Sequence, residues 1–207
     1  MSDPRDILTA DEARQFLGRG VADFTLGTLL DIAVTSVSRK LDTLVGPVVT
    51  GGTVGTITGE LHDGGCRHVW LDFAPVAQVV QVVEYDGTAA ATLTAETNST
   101  KPDAGYHVNL ATGKVVRRAS NVSALFPDGF DNVYVTYVRG RFATTSTVDD
   151  RYKFAAGMML KANWRMFENA VASMGEFEVP HASFPSFTVP KAVKELLGDE
   201  WRSGRGI

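Results

Sequence analysis

The 207-residue chain has a single cysteine, Cys66, so it can form no internal disulfide and no zinc site built from several thiolates. Its fold therefore places no demand on an oxidising compartment. It has no run approaching the roughly 18 consecutive apolar residues of a membrane-spanning helix, and its opening, Met1-Ser2-Asp3-Pro4-Arg5-Asp6, carries no apolar signal segment. The expectation is a soluble protein made in a cytoplasm, with no membrane partner. A basic excess is missing too: 20 Lys and Arg against 24 Asp and Glu leave a formal charge of -4. That argues against a dedicated nucleic-acid binder, whose affinity comes from a basic surface releasing counterions.

The signatures of catalysis are also missing. No Gly-x-x-x-x-Gly-Lys-[Ser/Thr] phosphate loop occurs, and Gly51-Gly52-Thr53-Val54-Gly55 leads into strand-like residues, not a helix N-terminus whose amides could hold phosphate. No Gly-x-Ser-x-Gly elbow occurs either. His62, Asp63, Cys66 and His68 are the one cluster of metal-like residue types. Zinc needs three or four convergent donors, whereas a Gly-Gly turn running into a strand sends Cys66 and His68 to one face and His62 elsewhere. Cys66 as a nucleophile would need a histidine placed beside it by the fold; a small half-buried thiol is the simpler reading. The sequence offers no footing for an enzyme, a metal or a cofactor.

What is present is enough for a globular core: 44% hydrophobic and 21% charged residues, in a chain long enough to fold without staples. Thr9 caps a short helix with Glu12 as its capping-box partner, and Gly18 and Gly20 stop it after Phe16 and Leu17. A longer helix is expected from about Thr25 to Leu44, with Leu26, Leu29, Leu30, Ala33, Val37, Leu41 and Leu44 as its apolar stripe. After Gly46-Pro47 the character changes to Val, Thr, Tyr and Gly. Strands are expected at 53–61, 67–73, 76–85, 89–96, 106–110, 114–118 and 132–139, divided by Asp63-Gly64-Gly65, Asp86-Gly87, Thr112-Gly113 and Asp128-Gly129. Gly113 takes the left-handed position of a tight hairpin, and Asn98 to Asp103 reads as a mobile loop.

A third helix begins near Asp149, is apolar on several sides (Phe154, Met158, Leu160, Trp164, Phe167, Val171), and ends near Met174. Beyond it lies an arm punctuated by Pro180, Pro185 and Pro190, then an amphipathic segment from Lys191 to Leu197 and a Gly-rich tail. The fold class is α+β: a small helical bundle with a β-rich insertion and an extended C-terminal arm. Its parts are N-terminal helices (1–46), the insertion (47–142), a central long helix (143–178) and the arm and tail (179–207). Prolines hold such an arm extended with little entropy left to lose on docking. Phe184 and Phe187 either reach a neighbour or fold back on their own core; the tail after Gly198, too polar for a core, favours docking. Arg117-Arg118 and the pair Arg139 and Arg141 either meet phosphates or partner carboxylates, or are solvated strand ends that protect sheet edges.

The order of these motifs resembles a known family. Tyr106-His107-Val108-Asn109-Leu110-Ala111-Thr112-Gly113-Lys114-Val115-Val116 is followed by Phe126-Pro127-Asp128-Gly129 and by Asn132-Val133-Tyr134-Val135-Thr136-Tyr137-Val138-Arg139-Gly140. The helix containing Trp164 and the closing Phe187-Thr188-Val189-Pro190 to Leu196-Leu197-Gly198 complete the pattern, and Ile7 to Leu17 resembles the family's opening helix. Together they are similar to the head–tail connector (adaptor) proteins of long-tailed bacteriophages. The resemblance implies a virion protein at the head–tail interface, assembled in the host cytoplasm as a ring commonly of twelve copies. Its partners would be further copies of itself, the portal protein and the head-closure (stopper) protein, and packaged DNA would pass through the lumen without sequence-specific binding. The portal-gripping role of the arm would fall on Phe184, Phe187, Val189, Pro190, Leu197 and Trp201. The alternative is a β-rich ligand- or protein-binding module of a phage tail, which predicts a monomer or trimer and exposed aromatics on the insertion.

Overall fold

The computed structural model describes residues 3–18, 27–173 and 189–200. The chain is α+β and divides into two compact units: Met1–Val49 with Thr144–Ile207, and Thr50–Ala143.

The first unit is helical. Helix α1 (Ala10–Leu17) starts at a full capping box: Thr9 Oγ1 accepts the Glu12 amide at 3.2 Å, and Glu12 Oε2 accepts the Thr9 amide at 2.8 Å. It ends at Gly18 in the left-handed region. Helix α2 (Gly27–Val45) buries Leu30, Val34, Val37, Leu41 and Val45. The stripe is rotated from the expected one, and Leu29 stays 47% exposed. The cause lies ahead of α1, where the short run Ile7-Leu8 is fully buried. It docks through the Ile7 amide on Ser38 Oγ at 3.0 Å, so α2 turns its Ser38 side inward. Helix α3 (Asp150–Ser173) supplies Tyr152, Ala155, Ala156, Met159, Leu160 and Trp164 to the core. Its Gly157 admits α1: a Cβ there would come within 2.4 Å of the Phe16 ring. Helix α4 (Lys191–Leu197) closes the bundle with Val193 and Leu197 buried.

The second unit is a sheet whose strands run, in spatial order, β1-β8-β3-β4-β5-β6-β2, with β7 hydrogen-bonded to β6. They are β1 (Thr56–His62), β2 (His68–Trp70), β3 (Val76–Asp86), β4 (Ala89–Ala95), β5 (Gly105–Asn109), β6 (Lys114–Ala119), β7 (Val122–Ser123) and β8 (Val133–Arg139). All pairs are antiparallel except β4 with β5. Val133, Val135 and Tyr137 of β8 are buried while Tyr134, Thr136 and Val138 are more exposed, the two-faced strand that alternation predicts. These three join Val69, Leu71, Val76, Val82, Leu93, Tyr106, Val115 and Phe126 in one apolar cluster. The β5–β6 hairpin turns through Gly113 at φ 71°, with the Ala111 and Thr112 amides on Asn109 Oδ1. Where a strand is expected from Thr53, Gly52–Gly55 instead form a 3-10 turn, entered through left-handed Gly51.

Candidate functional site

Of the six side chains expected at a portal or partner interface, Phe184, Phe187 and Trp201 lie outside the described residues. Val189 and Pro190 are half-buried, and the Pro190 carbonyl opens α4 by accepting the Val193 amide at 3.0 Å. For Leu197 the structure brings a correction. It is 2% exposed beside Val193, so it fastens α4 into the bundle and presents no surface to a partner. The turn after α4 is tied to α3 by Arg151 and Glu200, 2.7 Å apart, and by the Tyr152 hydroxyl on the same carboxylate.

Described residues of the helical unit line two clefts. One, of about 190 Å³, lies between α2 and α3 and is lined by Leu29, Ile32, Ala33, Ser36, Val37, Leu160, Asn163 and Trp164, none of them charged. Its wall is the outward ridge of α2, where Leu29 and Ile32 are 47% and 58% exposed. The other, of about 500 Å³, lies among α1, α3 and α4, with Phe16, Phe154 and Leu196 at its apolar centre. Phe154 is 53% exposed and its ring centroid is 6.2 Å from that of Phe16. Lys153 and Glu12, 2.7 Å apart, cross its edge, and this pairing helps hold the Glu12 carboxyl below its ordinary range against the opposing effect of burial. Sequence reading missed both clefts. Their signal was present in the apolar residues α2 and α3 carry outside a single stripe.

The four arginines expected at basic contacts have different surroundings. Arg117 is 11% exposed and forms two parallel bonds with Glu84, Nε to Oε2 and Nη2 to Oε1, each 2.8 Å. Its third nitrogen reaches the Gly105 carbonyl. Arg118 holds Glu96 at 2.7 Å and the Asn121 carbonyl at 2.7 Å. These two guanidiniums stitch strands together inside the sheet. Arg139 lies over the Phe73 ring at 5.0 Å, and Arg141 is half-buried just beyond β8.

Glu96, Thr97, Asn98, Lys101, His107, Val116 and Arg118 line a polar cleft of about 350 Å³. Arg118 and Lys101 on either side hold the Glu96 carboxyl down to about 2. A second polar cluster centres on Glu60 of β1. Its Oε1 accepts the Asp72 amide at 3.0 Å and lies 2.9 Å from His62 Nε2, while Oε2 meets the Tyr137 hydroxyl. Burial opposes the Glu60 charge, but these hydrogen bonds outweigh it and keep the carboxyl below its ordinary range. Burial and the neighbouring carboxylate push the Tyr137 phenol up, so it stays protonated as a donor. His62 thus faces an acid, while Cys66 Sγ bonds the His68 carbonyl at 3.1 Å and His68 packs edge-on against Trp70. Among the described residues, no three His, Cys, Asp or Glu side chains converge as metal ligands. The Glu60 cluster lines none of these clefts; it ties β1 to β8 through Tyr137 and to the Asp72 amide ahead of β3.

No protein-family model matches the chain, and no curated protein matches its sequence. A solved structure does. A chain from the neck of an empty GTA particle, computed with C6 symmetry, aligns with 100% of this chain over 95% of its own length, at a TM-score of 0.57 and 15% identity. The two share a fold. A chain from the neck of a native GTA particle, computed with C12 symmetry, covers 100% of this chain and 94% of its own at a TM-score of 0.47 and 17% identity.

Proposed function

We propose that this chain is a structural neck protein of a phage-like particle. In this reading it forms a ring between the capsid portal and the head-closure and tail proteins, and the ring extends the DNA channel. The observation that carries the proposal is the fold shared over its whole length with a chain from a GTA particle neck. The order of the sequence motifs points the same way. So do the apolar clefts of the helical unit, which suit repeated contacts between subunits. A ring multiplies weak contacts: each interface recurs around the symmetry, and each subunit offers its own arm to the portal. The net charge of -4 suits a lumen through which DNA slides without adhering.

In this role Phe184, Phe187, Val189, Pro190 and Trp201 grip the portal, and Leu197 anchors the arm's base. Removing the whole arm is a poor test, because Val193 and Leu197 belong to the bundle core. The better experiment mixes the full-length chain with purified portal rings and images the product by electron microscopy. The native chain is expected to add a ring beneath the portal, and the Phe184→Ala/Phe187→Ala/Trp201→Ala variant to lose it while staying folded. Failure of the native chain to bind portal would remove the proposal.

One observation favours the second reading, a β module that recognises a carbohydrate or protein on a tail. Trp70, Phe73 and Phe130 of the insertion are 52%, 41% and 81% exposed, and Lys114 lies 5.3 Å over the Trp70 ring. That reading predicts a monomer or trimer and no portal binding, so the same images decide between the two.

A further inference from the structure

We propose that Phe130 is a pre-set docking anchor of the β unit, made for an apolar socket ringed by lysine or arginine on another protein. The proposal concerns the sheet unit alone and goes beyond the ring reading. Phe130 is 81% exposed, the most exposed of the large hydrophobic residues described. A single exposed phenyl is ordinary on a protein surface. The way its backbone is held is not.

The segment from Phe126 to Asn132 is fastened along its length by the turn at Asp63 to Gly65. Phe126 is sunk in the core at 1% exposure. The Gly65 amide donates to the Phe126 and Pro127 carbonyls at 3.2 and 3.1 Å, and the Gly64 amide to the Gly129 carbonyl at 2.9 Å. On the far side of Phe130 the Asp131 amide donates to Asp63 Oδ1 at 2.9 Å. Asn132 adds Nδ2 bonds to the Tyr85 and Pro127 carbonyls at 3.0 and 2.9 Å. The fit is close: a Cβ on Gly64 would lie 1.8 Å from the Pro127 oxygen, and one on Gly129 2.8 Å from Asn132 Nδ2. Asp131 sits at φ 47°, a conformation aspartate tolerates better than most side chains. A loop that merely joins two strands needs none of this. Fixing the backbone beforehand removes part of the ordering cost of binding, so a phenyl placed this way gives more of its buried area to affinity.

The charges nearby select the partner. Asp63, Asp128 and Asp131 belong to the bonded segments, and Asp86 follows Tyr85, whose amide donates to the Asn132 carbonyl at 2.9 Å. None of these four carboxylates is in an ion pair among the described residues. Residues 59–66, 76–91 and 119–138 contain no lysine or arginine. A negative rim repels nucleic-acid phosphates and anionic lipid. It favours a socket bordered by cations, which also steer the encounter. The described apolar clefts of this chain offer no such border. The α2/α3 cleft has no charged lining, and in the other Lys153 and Arg151 are matched by Glu12 and Glu200 at 2.7 Å. The occupant is accordingly a different protein.

The test uses the full-length chain. In the free protein the Gly64, Gly65 and Asp131 amides should exchange slowly with solvent; unprotected exchange there would overturn the pre-set anchor. For the partner, Phe130→p-benzoylphenylalanine is made in the cells that produce the native protein and irradiated, and its adduct is mapped by mass spectrometry. The expected adduct lies among apolar residues flanked by Lys or Arg in another protein. Against that protein, purified, Phe130→Ala is expected to weaken binding by roughly thirtyfold or more. Asp86→Asn/Asp128→Asn should slow association and flatten its salt dependence. An adduct with a second copy, nucleic acid, lipid or saccharide would overturn the proposal, and so would no adduct at all or an unchanged affinity of Phe130→Ala.

Discussion

The two units of this molecule handle charge in opposite ways. In the β unit Glu84, Glu96 and Glu60 each have close partners: Glu84 with Arg117, Glu96 with Arg118 and Lys101, Glu60 with His62 and Tyr137. In the helical unit one guanidinium serves several carboxylates. Arg39 lies 2.6 Å from Asp42, 3.3 Å from Asp3 and 3.6 Å from Asp6, and Asp6 is 1% exposed. Burial accordingly raises the Asp6 and Asp42 carboxyls above their ordinary range, whereas Glu60 and Glu96 are held below it. The β unit meets Glu84, Glu96 and Glu60 with cations or a hydroxyl of its own strands and turns. The helical unit shares one guanidinium among three carboxylates and carries apolar clefts.

The largest expected effect falls on the β unit. Arg117→Met leaves Glu84 buried without its partner, a loss of about 3–5 kcal/mol. Hydrogen exchange should speed up across residues 50–143 and leave the helices unchanged, and adding Glu84→Leu should restore much of the protection. Equal loss in both units would erase the contrast. Arg39→Met is expected to cost the helical unit less, about 2 kcal/mol, because Asp3 keeps Arg5 and Asp42 keeps the Val48 amide. A denaturant midpoint that falls further for Arg39→Met than for Arg117→Met would reverse the comparison. Thr9→Ala removes one arm of the α1 cap and should cost about 1 kcal/mol, seen as faster exchange in α1 alone.

Acid gives the finest discrimination. Glu60 and Glu96 support folding above the ordinary carboxylate range and lose that support as pH falls through their depressed values, for Glu96 from 4.5 toward about 2. Asp6 and Asp42 act oppositely: their penalty at neutral pH is relieved as pH falls through their raised values toward 3.8. Asp3 and Glu12, both held low, oppose that gain only at more acid pH. Mild acidification should therefore firm the helical unit slightly before strong acid loosens the β unit. Exchange corrected for intrinsic rates would show the order, and β-unit loss at the milder pH would contradict it.

Much of the fold is readable from local chemistry. Thr9 and Glu12 announce α1, and Asp86-Gly87 and Thr112-Gly113 announce their hairpins, because these signals act within a few residues. Strand β7 escapes notice because it spans only Val122–Ser123 and is turned by Ser120 and Asn121 at positive φ, without a glycine. The parallel pairing of β4 with β5 has no local signature. Nor has the clasp between Glu84 and Arg117, which are 33 positions apart and meet only once β3, β4, β5 and β6 are assembled. Most of the arm read from the sequence lies outside the described residues. Leu197 shares its apolar character with Phe184 and Phe187, and sequence alone does not reveal that it points inward.

The insertion leaves and rejoins its host at a clasp. The Thr50 amide bonds the Phe142 carbonyl at 2.8 Å, Thr50 Oγ1 bonds the Ala143 carbonyl at 2.9 Å, and Gly140 passes so near that a Cβ would lie 3.0 Å from the Thr50 nitrogen. Nearly a hundred residues of the second unit thus have their two ends tied to each other by bonds of that unit alone. Growth, shrinkage or wholesale exchange of these residues need not disturb what lies outside the tie.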